Sequence, residues 1–237
     1  MLYVYAIVEG CNAALPGSGI EDRALEAQSD HNLATVFSRH AARIAPSAEN
    51  LWRHECVVER LMRDHTLLPS RFGTMVADED ALRDAVAANA AELSAGLERV
   101  RGCVELGLRV LWPEGIASPS RSSNHHHESG RAYMLSRLEE EHRRKRIEQD
   151  ASLLFDRLHN ELAPLARDGT RRTSSASQWT LSAAYLVQRD EVPRFRERLR
   201  DVRTLHPELR VLCTGPWPPF NFVPVLRHDP VAEVRHA

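Results

Sequence analysis

Val104-Glu105-Leu106-Gly107-Leu108-Arg109-Val110 places an apolar residue at every second position. That period of two predicts a strand with one buried face, leaving Glu105, Gly107 and Arg109 on the other. Downstream, Pro113 to Ser129 is poor in apolar residues and rich in Ser, Pro and His, which predicts a flexible loop over 112–129. A long helix is expected from Gly130 or Arg131. Glu139, Glu140 and Glu141 stand four residues before Arg143, Arg144 and Lys145, the favourable order for helical ion pairs worth about 0.2–0.5 kcal/mol each. Ile147, Ala151, Leu154, Leu158, Leu162 and Leu165 supply its core stripe, and Leu135 and Leu138 fall out of phase with it. Arg171 to Gln178 is a weak strand, and Leu181, Ala183, Tyr185 and Val187 alternate as a stronger one. Asp190 is expected to cap a helix with Pro193 in its first turn and a stripe of Val192, Phe195, Leu199 and Val202. Leu209, Val211 and Cys213 form a last strand. The order strand, helix, strand, strand, helix, strand is the split βαβ, ferredoxin-like arrangement. It predicts an α+β fold with a second domain over 102–237 that ends in a C-terminal extension.

Upstream, Leu2 to Val8 is a continuous apolar and aromatic run, read as a strand central in its sheet. Leu33 to Phe37 is a shorter strand. Ser47 is an N-cap for a helix reaching about His65, with Leu51, Val58, Leu61 and Met62 at helical spacing. Leu67 to Val76 reads as extended. Asp78 then caps one amphipathic helix carrying Leu82, Val86, Leu93, Leu97 and Val100 and closing near Gly102. These elements make an N-terminal α+β domain over 1–101.

Composition narrows the function. The chain has 237 residues, 43% hydrophobic and 27% charged, with a formal net charge of -2, so it can bury a sizeable core and carries no global field that would draw nucleic acid. Cys11, Cys56, Cys103 and Cys213 form no C-x-x-C pair and are read as reduced thiols. The first apolar run lacks a basic leader, and no stretch approaches the roughly 20 apolar residues needed to span a bilayer. A cytoplasmic protein without a lipid-membrane partner is expected.

No catalytic constellation emerges. Gly-x-Ser-x-Gly is absent, and Gly17-Ser18-Gly19 is too short to cradle phosphate. His125, His126 and His127 are adjacent, whereas ordered metal ligands seldom are, so they read as a solvated loop. His54, Glu55, Glu59 and His65 share one predicted helix with the histidines eleven apart rather than four, and read as its polar face. No metal, cofactor or small-molecule substrate is expected. An RNA-binding module would need aromatics exposed on central strands, and Tyr185 shares a face with Leu181 and Val187, which predicts core. A metal-dependent enzyme on a ferredoxin-like scaffold is the other alternative, because fold alone never excludes one.

Two segments read instead as packing or binding elements. Arg71, in an extended segment, would share a face with Gly73 and lie opposite Phe72. It would either pair a carboxylate at a domain interface or meet a partner. In Thr214-Gly215-Pro216-Trp217-Pro218-Pro219-Phe220-Asn221-Phe222-Val223, three prolines fix φ and withhold amide donors, so the run is neither helix nor central strand. It presents Trp217, Phe220 and Phe222, none of which can serve as acid, base or nucleophile. Trp217 is read first as a buried ring folded back on the protein, and second as a partner anchor. Arg71, Phe72, Trp217 and Phe220 are therefore the expected partner-binding residues.

Three stretches together, Leu2 to Val8, Leu68-Pro69-Ser70-Arg71-Phe72-Gly73-Thr74 and Thr214 to Phe222, resemble the gas vesicle protein GvpF/GvpL family in sequence, order and spacing. Ser129 to Leu135 and Ala184-Tyr185-Leu186-Val187 are similar to its further landmarks. The chain departs from the usual pattern in carrying Phe220 where tyrosine is common. The resemblance implies a two-domain α+β protein with a modified ferredoxin-like second domain. It implies a non-enzymatic minor component of gas vesicle assembly, located at the vesicle or in the cytoplasm. Its partners would be the hydrophobic shell protein and other vesicle accessory proteins.

Overall fold

A computed structural model describes residues 1–10, 15, 17–30, 32–111, 130–174, 180–207 and 210–224. The chain divides into two compact units, one formed by Met1–Glu105 with the segment from Pro216 onward and the other by Leu106–Gly215.

The first unit contains β1 (Leu2–Glu9), β2 (Glu26–Asp30), β3 (Leu33–Arg39), α1 (Ala48–Asp64), β4 (Leu67–Pro69), β5 (Met75–Val76), α2 (Glu79–Ala88) and α3 (Ala90–Val100). Its antiparallel sheet runs β2-β3-β1-β4, with β5 also pairing β1. β1 is central and buried in every residue but its last, as its unbroken apolar run predicts, and a bulge between Val4 and Ala6 shifts its register against β3. The Ser47 hydroxyl accepts the Asn50 N–H at 3.1 Å, and the Asp78 carboxylate accepts the Ala81 N–H at 2.9 Å, so both predicted caps are made.

Three local expectations are corrected here. The single helix expected from Asp78 to Gly102 is two, broken at Asn89, whose side chain donates to the Ala85 carbonyl at 2.7 Å. That side chain competes with the helical ladder for the carbonyls ending α2. The extended segment 67–76 is interrupted by a turn that the Thr74 N–H closes on the Arg71 carbonyl at 3.1 Å. Gly73 sits in that turn with φ +84°, a conformation open to glycine at little cost, so Arg71 and Gly73 are turn residues rather than strand neighbours. β2 has no counterpart among the expected strands, because its sequence Glu26-Ala27-Gln28-Ser29-Asp30 is polar and stands at the sheet edge, where one neighbour, β3, fixes it.

The second unit takes in most of β6 (Cys103–Leu111), then α4 (Gly130–Leu162), β7 (Asp168–Ser174), β8 (Thr180–Gln188), α5 (Val192–Leu205) and most of β9 (Arg210–Trp217), in a sheet ordered β7-β8-β6-β9. Leu106, Leu108 and Val110 of β6 meet Leu158 and Leu162 of α4 and Phe195, Leu199 and Val202 of α5 in its core. Tyr185 is fully buried there, and the out-of-phase Leu135 and Leu138 are about half exposed. Lys145 reaches Glu141 at 3.1 Å, one of the expected i,i+4 pairs. Asp190 lies in a short 3₁₀ turn, Arg189–Glu191, and α5 begins only at Val192. β9 continues through Pro216 to Trp217, which its place at the sheet edge permits because Pro216 has no N–H to give. The 112–129 loop with its histidines and Leu209 lie outside the described residues.

Candidate functional site

Tyr3 and Tyr5 on β1 anchor two buried hydrogen-bonded chains, and both rings are fully enclosed. His54, projecting from α1, places Nδ1 3.0 Å from Tyr3 Oη and Nε2 3.0 Å from the Ser70 carbonyl oxygen. A carbonyl only accepts, so Nε2 carries the proton and Nδ1 accepts the Tyr3 hydroxyl proton. Tyr3 Oη in turn accepts the Gly73 N–H at 3.2 Å. The imidazole is therefore spent on both nitrogens. Burial pushes its pKa down to about 4, and burial raises the Tyr3 hydroxyl above its ordinary value. In the second chain Tyr5 Oη meets Ser38 Oγ at 2.8 Å, and Ser38 Oγ meets His40 Nε2 at 2.8 Å. His40 Nδ1 reaches Glu21 Oε2 at 3.3 Å, where Glu21 and Asp22 both hold φ of 53°, a strained conformation for residues with a Cβ.

Around His54 the rings of Tyr3, Tyr5, Phe72 and Phe220 lie with centroids 5.6–6.4 Å away. This overturns the reading of His54 as a residue of the helix's polar face, since it is 1% exposed. Spacing carried the signal: His54 stands four and seven residues before Val58 and Leu61, on the apolar stripe of α1. Of the four expected binding residues, Phe72 and Phe220 thus converge on one imidazole. Beside them Arg71 and Phe72 line an open cleft of about 190 Å³ with Ile7, Leu68, Leu93 and Val223. Arg71 is exposed and makes no side-chain ion pair or hydrogen bond among the described residues, which leaves the carboxylate-pairing alternative without a partner there. Trp217 is 41% exposed at the end of β9, against the expectation of a buried ring.

The segment after Trp217 belongs to the first unit, where the sequence reading had attached it to the second domain. Glu105 explains how it is held. Expected on a solvent face, this carboxylate is buried at 6% exposure and accepts the Asn221 backbone N–H at 2.9 Å and the Asn221 Nδ2 at 2.6 Å. Phe222 is buried under the Arg99 guanidinium, 5.9 Å from its ring centroid. A Cβ on Gly96 would approach Pro224 Cδ to 3.1 Å and the Leu68 methyls to 3.3 Å, so this glycine lets α3 close on β4 and the returning chain. Asn221→Ala should cost about 1.5 kcal/mol, the lower end for a hydrogen bond to a charged group because Asn221 is itself exposed. Urea unfolding measures it, and an unchanged midpoint would remove the clamp from the account.

Among the described residues no three His, Cys, Asp or Glu side chains gather as a metal site, and no helix is long and apolar enough to cross a membrane. The arrangement fixes protons in place and offers an aromatic and apolar surface with the Arg71 guanidinium beside it, which suits binding.

A family model described as "Gas vesicle synthesis protein GvpL/GvpF" matches residues 1–224. The chain is 31% identical over 186 residues to gas vesicle protein L of Streptomyces sp. (strain CB03234), covering 74% of this chain and 69% of that one. It is 22% identical over 229 residues to gas vesicle protein F1 of Halobacterium salinarum, covering 94% and 93%. The crystal structure of the gas vesicle protein GvpF from Anabaena sp. PCC7120 matches with a TM-score of 0.78 at 19% identity, over 96% of this chain and 98% of that one. That of GvpF from Microcystis aeruginosa matches at 0.74 and 18%, over 93% and 98%. At such identities the two structures show a common mixed α/β fold.

Proposed function

This chain belongs to the gas vesicle synthesis protein GvpL/GvpF family, and from that premise we propose that it is a non-enzymatic component of gas vesicle assembly that binds the hydrophobic shell protein or its accessory proteins. The family match carries the process. The binding role is supported by the first unit, where Arg71 and Phe72 line an open cleft, Phe72 and Phe220 flank one imidazole, and both nitrogens of that imidazole are already engaged. A subunit apolar enough to wall a gas compartment would associate prematurely through exposed patches beyond a few hundred Å². A partner that covers such a patch, or meters its addition, prevents that.

We read the second unit as a modified ferredoxin-like domain, on the strength of its strand, helix, strand, strand, helix, strand order and its β7-β8-β6-β9 sheet. The protein is then two-domained, with Leu106–Gly215 as the second domain and the segment from Pro216 returned to the first, and works at the vesicle or in the cytoplasm.

Deleting the gene in its host should abolish or distort gas vesicles, and the purified protein should retain the shell protein or another vesicle component in a pull-down. Trp217→Ala should change unfolding stability by no more than about 1 kcal/mol, as for a side chain this exposed, and should weaken that retention as an interface anchor would. Vesicles of normal form and yield after deletion would defeat the assembly role. A lowered midpoint with intact retention would make Trp217 structural.

A further inference from the structure

The cleft beside Arg71 has a chemistry more specific than a general apolar surface. Ile7, Leu68 and Leu93, each 2% exposed, lie beneath it, and the half-buried Phe72, Val223 and Pro224 give it an accessible apolar wall. Arg71 is the sole ionisable residue among the described residues that line it. The backbone N–H groups of Arg71 and Phe72 join no backbone hydrogen bond among the described residues. A small apolar recess therefore stands next to a cation with no side-chain partner among the described residues. Its volume of about 190 Å³ falls below the roughly 300–1,000 Å³ of small-molecule sites, so it holds about one side chain.

We infer that this cleft takes the carboxyl-terminal residue of a partner polypeptide, with an apolar side chain against Phe72, Val223 and Pro224 and the α-carboxylate on the Arg71 guanidinium. Charge complementarity and size argue for that occupant. A terminal residue carries its carboxylate and its side chain on the same Cα, so one residue meets both demands of a one-residue recess. An internal Asp or Glu spends its side chain on the charge and needs a neighbour for the apolar part. The planar guanidinium fork matches a carboxylate in bidentate geometry. A nucleic acid or lipid headgroup would call for several cations in a row, and the lining supplies one. The inference rests on the reading of this face as a partner-binding surface.

The test is titration of the ¹⁵N-labelled full chain with N-acetylated hexapeptides ending in leucine or phenylalanine, each as free acid and as amide. The free acids should shift the Gly73, Thr74 and Leu93 amides to saturation, and the amides should bind at least about tenfold more weakly. Arg71→Ala should lower affinity for the free acids at least about tenfold, as expected for loss of a charge-assisted hydrogen bond, and Arg71→Lys should restore part of it. Arg71 is exposed, so neither substitution disturbs the fold. Equal affinity for acid and amide, indifference to Arg71→Ala, or no binding at millimolar peptide would each overturn the inference. Tight binding of an amidated peptide bearing an internal Asp-Leu pair would overturn it in favour of an internal acidic motif. All these outcomes leave the assembly role standing, because that role is judged by gene deletion.

Discussion

His54→Ala is expected to lower unfolding stability by about 3–5 kcal/mol, the range for losing a large buried side chain that also satisfied two polar groups. The ring is enclosed by Tyr3, Tyr5, Phe72 and Phe220. Its removal opens a space among them, strips the Ser70 carbonyl of its donor and leaves the Tyr3 hydroxyl without its acceptor. Denaturant unfolding gives the value. Trp52→Ala is the control, since Trp52 lies on the same helix at 63% exposure and should move the midpoint little. A cost below about 1 kcal/mol for His54→Ala would mean that the surrounding rings collapse into its place.

Acid should destabilise the protein through the same residue. Burial holds His54 at about 4 in the folded state against an ordinary value of 6.5, so between those limits the unfolded chain binds the extra proton. Stability is then complete above about pH 6.5, declines as pH falls towards about 4, and is flat with respect to this group below that. A gap of about 2.5 pH units amounts to roughly 3 kcal/mol. The measurement is the difference in unfolding free energy between the natural chain and His54→Gln across pH 4–7, which cancels the titration of other groups. A pH-independent difference would show that the imidazole is protonated in place without penalty.

Much of the architecture is legible from the residues. The run from Leu2 to Val8 announces a strand covered on both faces, and period-two alternation at Val104 to Val110 and Leu181 to Val187 marks two strands of the second sheet. Residues whose placement depends on remote partners are less legible. Glu105 occupies the position of a solvent-facing residue by alternation, and its buried carboxylate is met by Asn221, 116 positions later. His54 was within reach, since its spacing to Val58 and Leu61 puts it on the apolar stripe, but its neighbour Glu55 drew it into a polar reading. Phe72 and Phe220 were identified as aromatics in distinctive segments. Their convergence on one imidazole is a fact of three dimensions that neither segment encodes alone.

The return of the C-terminal segment to Glu105 has a consequence for synthesis. A chain leaving the ribosome exposes Met1 to Glu105 long before Asn221 is made, and throughout that interval the Glu105 carboxylate lacks the two hydrogen bonds that Asn221 donates. The N-terminal unit therefore cannot reach its final form until the whole intervening unit has been translated. The last residues to emerge complete the structure that began first. A nascent protein stalled short of Asn221 would present the Phe72 and His54 region without Phe220 over it, as an unfinished surface of a kind that chaperones recognise.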